Sequence, residues 1–284
     1  MGELNCDFFS TGIYSVPDAA HLTGVSAGRI RRWLRGYSFR SRNKEYHSAP
    51  LWHGQLEPID NALALGFLDL IEIKFVDAFL QAGVSWFMLR KAHERASQLF
   101  NQSHPFGTQR FATDGREIFV ELHEQTGEPT LMEIVRKQKV FPQIVRPFLN
   151  ELEFGDGDVL VRWRPSTSRR LVVLDPTRSF GRPIVLPKAV PTEMLARAVR
   201  ASGSVAEVCR WYGVPSDEVE DAVEFEDKLA KDNGNFFGVE WEAWPEKKVR
   251  RDLALPSLSP KANRGEARNA PHSEGSGSSH KGKS

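Results

Sequence analysis

The chain is poor in the residues that make a metal, redox or membrane protein. It has only two cysteines, Cys6 and Cys209, which lie far apart and fit no metal-ligand or redox spacing. No run approaches the ~20 apolar residues of a membrane span. The opening MGELNCDFF lacks the basic stretch and apolar block of a secretory signal. These absences predict a cytoplasmic protein with no metal and no cofactor. The eight histidines, His21, His47, His53, His93, His104, His123, His272 and His280, lack the i, i+4 or cysteine-paired spacing of a metal site. There is no GxSxG, no phosphate-cradling G-x-x-x-x-G-K and no GxGxxG after a strand. The turn from Gly155 to Asp158 lacks the later ligands of a calcium loop. No catalytic constellation is visible, and the reading is of a protein that is not an enzyme.

A further absence is local. The formal net charge is only +1, yet no acidic residue occurs from Ala19 to Lys44. Positive charge is therefore concentrated in one short stretch. The stretch has the spacing of a helix-turn-helix: small residues at Ala19 and Ala20, Gly24 at the turn, then Val25 and Ile30. Ser15 and Pro17 open a first helix, and Ser26 caps a second through about Leu34. In that second helix Ile30, Trp33 and Leu34 share one face, being three and four apart. Arg29, Arg31, Arg32 and Arg35 occupy the rest. Four arginines can simply solvate a surface helix. The unbroken positive run combined with the motif points instead to double-stranded DNA. Arg29 and Arg32 are the candidates for base edges, and Arg31, Arg35, Arg40, Arg42 and Lys44 for phosphates.

After Gly36 the pattern reads as a β-hairpin wing with Ser41, Arg42, Asn43 and Lys44 at its tip. An apolar stretch from Asn61 to Leu80 follows, then Gly83-Val84-Ser85 and a helix to about Phe100. The turn from Ala20 to Ser26, the RIRRWLRGY after it and the LDLIEIKFVDAFLQAGVS segment resemble the winged-helix domain of MerR-type regulators. The resemblance implies a helix in the major groove and a helix pair packed behind the wing. The long heptad helix and the effector cysteines of those regulators are missing.

The middle predicts a hairpin turning at Asp114-Gly115, a helix from Thr130 to Val140, and three short strands: 159–163, 170–174 and 183–186. Such a sheet could also be where two chains meet. From Pro191 to Lys228 a second helix-turn-helix spacing appears, with Cys209 in the small-residue slot and Gly213 four residues on. Its last helix carries Asp217, Glu218, Glu220, Asp221, Glu224, Glu226 and Asp227, which phosphates would repel. Folding, dimerisation or protein contact is the role predicted for it. The segment LPKAVPTEMLARAVRASGSVAEVCRWYGVPSDEVEDAVEFE resembles the C-terminal helix-turn-helix of a bacterial antitoxin family. His104-Pro105-Phe106, Arg110-Phe111 and Thr113 to Leu122 match the middle of its long, VapB-type members. The resemblance implies a partner, a PIN-domain ribonuclease toxin, and repression of the shared operon.

Beyond Ala230 the chain carries Phe236, Phe237, Trp241 and Trp244 followed by Lys247, Lys248, Arg250 and Arg251. Aromatics with arginine are hot-spot chemistry, so Phe236, Phe237, Trp241, Trp244, Arg250 and Arg251 are the candidate toxin-binding residues. The final stretch has the composition of a disordered tail. The predicted class is α+β, mainly α. The predicted layout is a winged helix over 1–100, a mixed β/α region over 101–187, a helix-turn-helix over 188–230 and a tail over 231–284. The leading function is an antitoxin and autorepressor, homodimeric on a palindromic operator. The alternatives are a stand-alone transcription regulator and a structural adaptor.

Overall fold

The computed structural model describes residues 8–41, 44–127, 140–165 and 167–232. All lie within one unit, Met1–Gly238; a second unit, Val239–Ser284, is outside the described residues. The predicted helix from Thr130 to Val140, apart from Val140 itself, lies outside them as well, as do Arg42 and the six candidate toxin-binding residues.

A short helix α1 (Phe8–Thr11) and strand β1 (Tyr14–Ser15) precede α2 (Val16–Thr23). Ser15 caps α2 reciprocally with Asp18: Ser15 Oγ accepts from the Asp18 amide, and the Asp18 carboxylate accepts the Ser15 amide. Gly24, at φ 74°, ends α2 with its amide bonded to Ala20 O. Helix α3 (Ala27–Arg35) begins after Ser26, which holds the cap position without a side-chain capping bond. Gly36 ends α3 at φ 71°, and a Cβ there would lie 2.2 Å from Ser48 O. Both the positive φ and the close approach demand glycine.

Strands β2 (Tyr37–Ser41) and β3 (Lys44–Ser48) form an antiparallel hairpin with Phe39 opposite Tyr46. Strand β4 (Ala64–Leu65) pairs with β1. Helices α4 (Phe67–Gln81) and α5 (Trp86–Phe100) follow, then α6 (Gln109–Thr126) and α7 (Val140–Leu149). Phe75, Phe79, Phe106, Phe111, Phe119 and Phe141 interlock where these helices meet, in tilted and edge-on pairs.

The predicted hairpin at Asp114-Gly115 is not formed, because α6 runs straight through it. Gly115 is buried mid-helix, where a Cβ would sit 2.8 Å from the Phe111 ring and 2.9 Å from Phe141. That glycine makes room for aromatic packing instead of turning the chain. A single dipeptide cannot distinguish the two uses.

A five-stranded antiparallel sheet runs in sequential order: β5 (Leu152–Phe154), β6 (Leu160–Trp163), β7 (Val172–Leu174), β8 (Pro183–Val185) and β9 (Val190–Pro191). The three predicted strands fall on β6, β7 and β8. Helices α8 (Thr192–Ser202), α9 (Val205–Tyr212) and α10 (Ser216–Asp232) follow; α8 packs on β8 and β9, α10 packs on β7 and β8, and α9 packs against the other two helices. The molecule is thus mainly helical with small antiparallel sheets. One apolar cluster runs from Tyr14 to Leu174, and a second joins Val172 and Val185 to Leu195, Val208, Val219 and Phe225. Leu22 of α2 touches both.

Candidate nucleic-acid interface

Helix α3 buries Ile30, Trp33 and Leu34 and leaves Arg31, Arg32 and Arg35 exposed. The i, i+3, i+4 spacing fixes this division, since one face must supply the core and the other meets solvent. Arg35 donates to Asn61 O at 3.0 Å. The Arg32 guanidinium lies 5.9 Å from the centroid of Tyr37. Among the described residues, no carboxylate pairs with Arg31, Arg32, Arg35 or Arg40. Elsewhere arginines are neutralised locally: Arg95 by Glu121, Arg162 by Asp175, Arg169 by Glu220 and Arg200 by Asp227. Arg29 is also engaged, 2.6 Å from Asp77 of α4 and 4.8 Å from the Trp33 ring centroid. Of the two candidate base readers, Arg32 is therefore the one without a carboxylate against it.

The hairpin is braced on two sides. The Leu51 amide donates to Trp33 O at 2.7 Å, joining the return strand to α3. Arg90 of α5 donates to Pro50 O at 2.9 Å, Ala49 O at 2.5 Å and Ser48 Oγ at 3.3 Å. Trp86 stacks on Trp33 with centroids 6.2 Å apart, and Arg90 lies over Trp86. Arg29, Arg32, Trp33, Tyr37 and Trp86 together line an open pocket of about 200 Å3. Arg40 is exposed on β2, and the backbone of Lys44 opens β3.

The second helix-turn-helix is built differently. Five of the seven acidic residues from Asp217 to Asp227, all but Asp217 and Glu218, are engaged by the chain itself. Asp221 is fully buried and accepts from Thr167 Oγ1 and from the amides of Arg169, Leu171 and Val172 at 2.8–3.3 Å. Glu224 accepts from Ser168, Glu226 from Thr192, and Glu220 and Asp227 meet Arg169 and Arg200. Burial pushes the Glu226 carboxyl above its ordinary value. Helix α10 is therefore fastened to the sheet, and these five acidic side chains bind protein groups. Cys209 is half-buried and packs against the second apolar cluster.

Comparison with known proteins supplies one further observation. This chain is similar to a protein named as an antitoxin. The relative, "Putative antitoxin VapB45" of Mycobacterium tuberculosis, is 28% identical over 233 residues, covering 76% of this chain and 94% of the relative. The fold matches the crystal structure of Rv2018 from Mycobacterium tuberculosis with a TM-score of 0.60 and 24% identity, over 74% of this chain and 96% of that one. No family model matches the chain.

The His104-Pro105-Phe106 motif proves to serve the core beneath this face. Asp69 of α4 is fully buried and accepts from Trp52 Nε1, the amides of Gln55 and Gly66, and His104 Nε2, at 2.8–3.0 Å. One turn on, Glu72 accepts the Phe106 amide through Oε1 at 2.8 Å, while its Oε2 faces His93 Nε2 at 3.6 Å. Burial pushes the Glu72 carboxyl well above the usual carboxylate range. Burial, with His104 and Arg90 nearby, pushes the His93 imidazole down to about 3. Both shifts favour the uncharged form of each group, because burial penalises charge. Among the described residues no cluster of His, Cys, Asp and Glu could hold a metal ion. No described helix is long and apolar enough to cross a membrane.

Sequence reasoning missed Arg90 and Asp77. Both lie on helices read only as apolar packing elements, and their partners stand 40 or more residues away in sequence.

Proposed function

We propose that this chain is the antitoxin of a toxin–antitoxin pair, with a winged-helix DNA-binding half that represses its own operon. The observation that carries the DNA half is the solvent face of α3, where Arg31, Arg32 and Arg35 stand without a carboxylate partner among the described residues. Elsewhere on the molecule arginines are commonly paired. Counterion release makes free guanidiniums the main source of affinity for a duplex. In this reading Arg32 meets base edges while Arg31, Arg35, Arg40, Arg42 and Lys44 hold phosphate. Arg29 reads bases only after leaving Asp77. Ser26, at the start of α3, enters the major groove with it.

The antitoxin half is supported by likeness to a relative so named over nearly its whole length, and by the sequence resemblance to VapB-type proteins. A PIN-domain ribonuclease is the partner that resemblance implies, held through the C-terminal half and the aromatic and basic residues after Ala230. A cytoplasmic homodimer would place two α3 helices on a palindromic operator.

The test is co-expression with the adjacent gene. A neighbouring product that is toxic alone, harmless with this chain and recovered with it at stoichiometric yield is the expected result. A solitary protein that still binds its own promoter would establish a stand-alone regulator instead.

A further inference from the structure

Phe39 and Tyr46 stand opposite one another on the hairpin and stack with centroids 5.4 Å apart at 18°, yet remain 46% and 45% exposed. The pairing register alternates faces, so Tyr37 lies on the same face, and its ring is 5.8 Å from Phe39. Arg32 of α3 sits over Tyr37, at the mouth of the pocket lined by Arg29, Arg32, Trp33, Tyr37 and Trp86. A strip of aromatic surface therefore runs unbroken from the cationic face of α3 out along the ribbon. Half-exposed rings do not need a partner singly, but a contiguous strip of them marks a contact surface.

From this strip we infer that the aromatic face of the hairpin is a second, apolar contact surface for duplex DNA, seated on the deoxyribose edge of the strand that α3 engages. The inference rests on the DNA-binding reading above. Charge selects the occupant: Arg32 at one end of the strip favours a polyanion, while Arg40, next to Phe39 in the strand, lies on the other face of the ribbon. Aromatic rings then supply what guanidiniums cannot. Sugar faces are the apolar part of a nucleic-acid backbone, and covering them releases no counterion. The strip therefore contributes affinity that salt does not screen.

Binding of the full chain to a duplex from its own promoter, followed by fluorescence anisotropy from 50 to 200 mM salt, separates the two contributions. Phe39→Ser with Tyr46→Ser should lower affinity about tenfold at every salt concentration, leaving the slope of log K against log salt parallel to wild type. Arg32→Ala should instead make the slope shallower by roughly one. Tyr46→Phe, which keeps the ring and loses only the hydroxyl, should bind like wild type, and an unchanged thermal melt of the double variant shows that the fold survives.

Unchanged affinity in the double variant, with Arg32→Ala still weakened, overturns this inference and leaves the DNA reading standing. A shallower slope in the double variant overturns it too, because the rings would then be acting only through neighbouring charges. Loss of self-association on sedimentation would assign the strip to a second copy of this chain. Tighter binding to the single strand, lost in the double variant, would assign it to unpaired bases. A wild-type chain that binds no duplex removes the DNA reading itself, and this inference with it.

Discussion

Asp69 and Glu72 lie one helical turn apart on α4, both fully buried, but only Asp69 has both carboxylate oxygens hydrogen-bonded. Asp69 collects four donors, whereas Glu72 has a backbone amide on one oxygen and a neutral imidazole facing the other. In the segment LDLIEIKF the two acids look alike, and the residues that separate them arrive from Trp52, His93, His104 and Phe106. The Glu72 carboxyl is held above its ordinary value of 4.5. Its contribution to stability is therefore complete below that value and is lost as pH rises toward the folded pKa, because the unfolded chain releases the proton first. Glu72→Gln cannot ionise. Relative to wild type it should gain stability as pH rises above the usual carboxylate range, by up to about 1.4 kcal/mol per pH unit. Urea unfolding at pH 5 and pH 7 checks this; a pH-independent difference would mean that Glu72 is ionised in the fold. His93, held down to about 3, acts in the opposite sense. Its contribution is complete above 6.5 and is lost as pH falls toward 3.

At the scale of elements, the amphipathic pattern of α3 and the turn glycines were legible because each is a local constraint. Ile30, Trp33 and Leu34 must face inward together, and Gly24 and Gly36 adopt positive φ that side chains resist. The same reasoning failed at Gly115, where the need for glycine comes from Phe141 of another helix. The brace of the hairpin was equally invisible, since Arg90 reaches strand residues more than 40 positions earlier. Arg90→Met keeps the length of the side chain but removes three donor contacts. Under the proposed DNA-binding function, the variant should keep a cooperative melt and lose operator affinity about tenfold, with a narrower hydroxyl-radical footprint on the flank, because the hairpin no longer holds its angle to α3. A footprint of full width at reduced affinity would show that Arg90 acts only on stability.

Across the whole molecule, two apolar clusters share α2, and the C-terminal helices are joined to the sheet through Asp221. Asp221→Ala would take this acceptor from the amides of Leu171 and Val172, at a cost on the order of 1–3 kcal/mol for each buried donor left unpaired. Hydrogen exchange should then rise in 167–174 and 192–231 while α4 and α5 stay protected. Equal deprotection of both regions would mean that the molecule opens as one unit.

The sequence by itself determined the helices flanking each turn, the hairpin after Gly36, the short strands and the acid-free basic run from Ala19 to Lys44. Those features follow from spacing, turn chemistry and composition within a few residues. Only the tertiary structure decided which charges remain available. It spent Arg29 on Asp77, fastened the acidic α10 to the sheet, and left Arg31, Arg32 and the paired rings of the hairpin facing solvent. Availability depends on partners brought together from distant parts of the chain, and no local pattern encodes them.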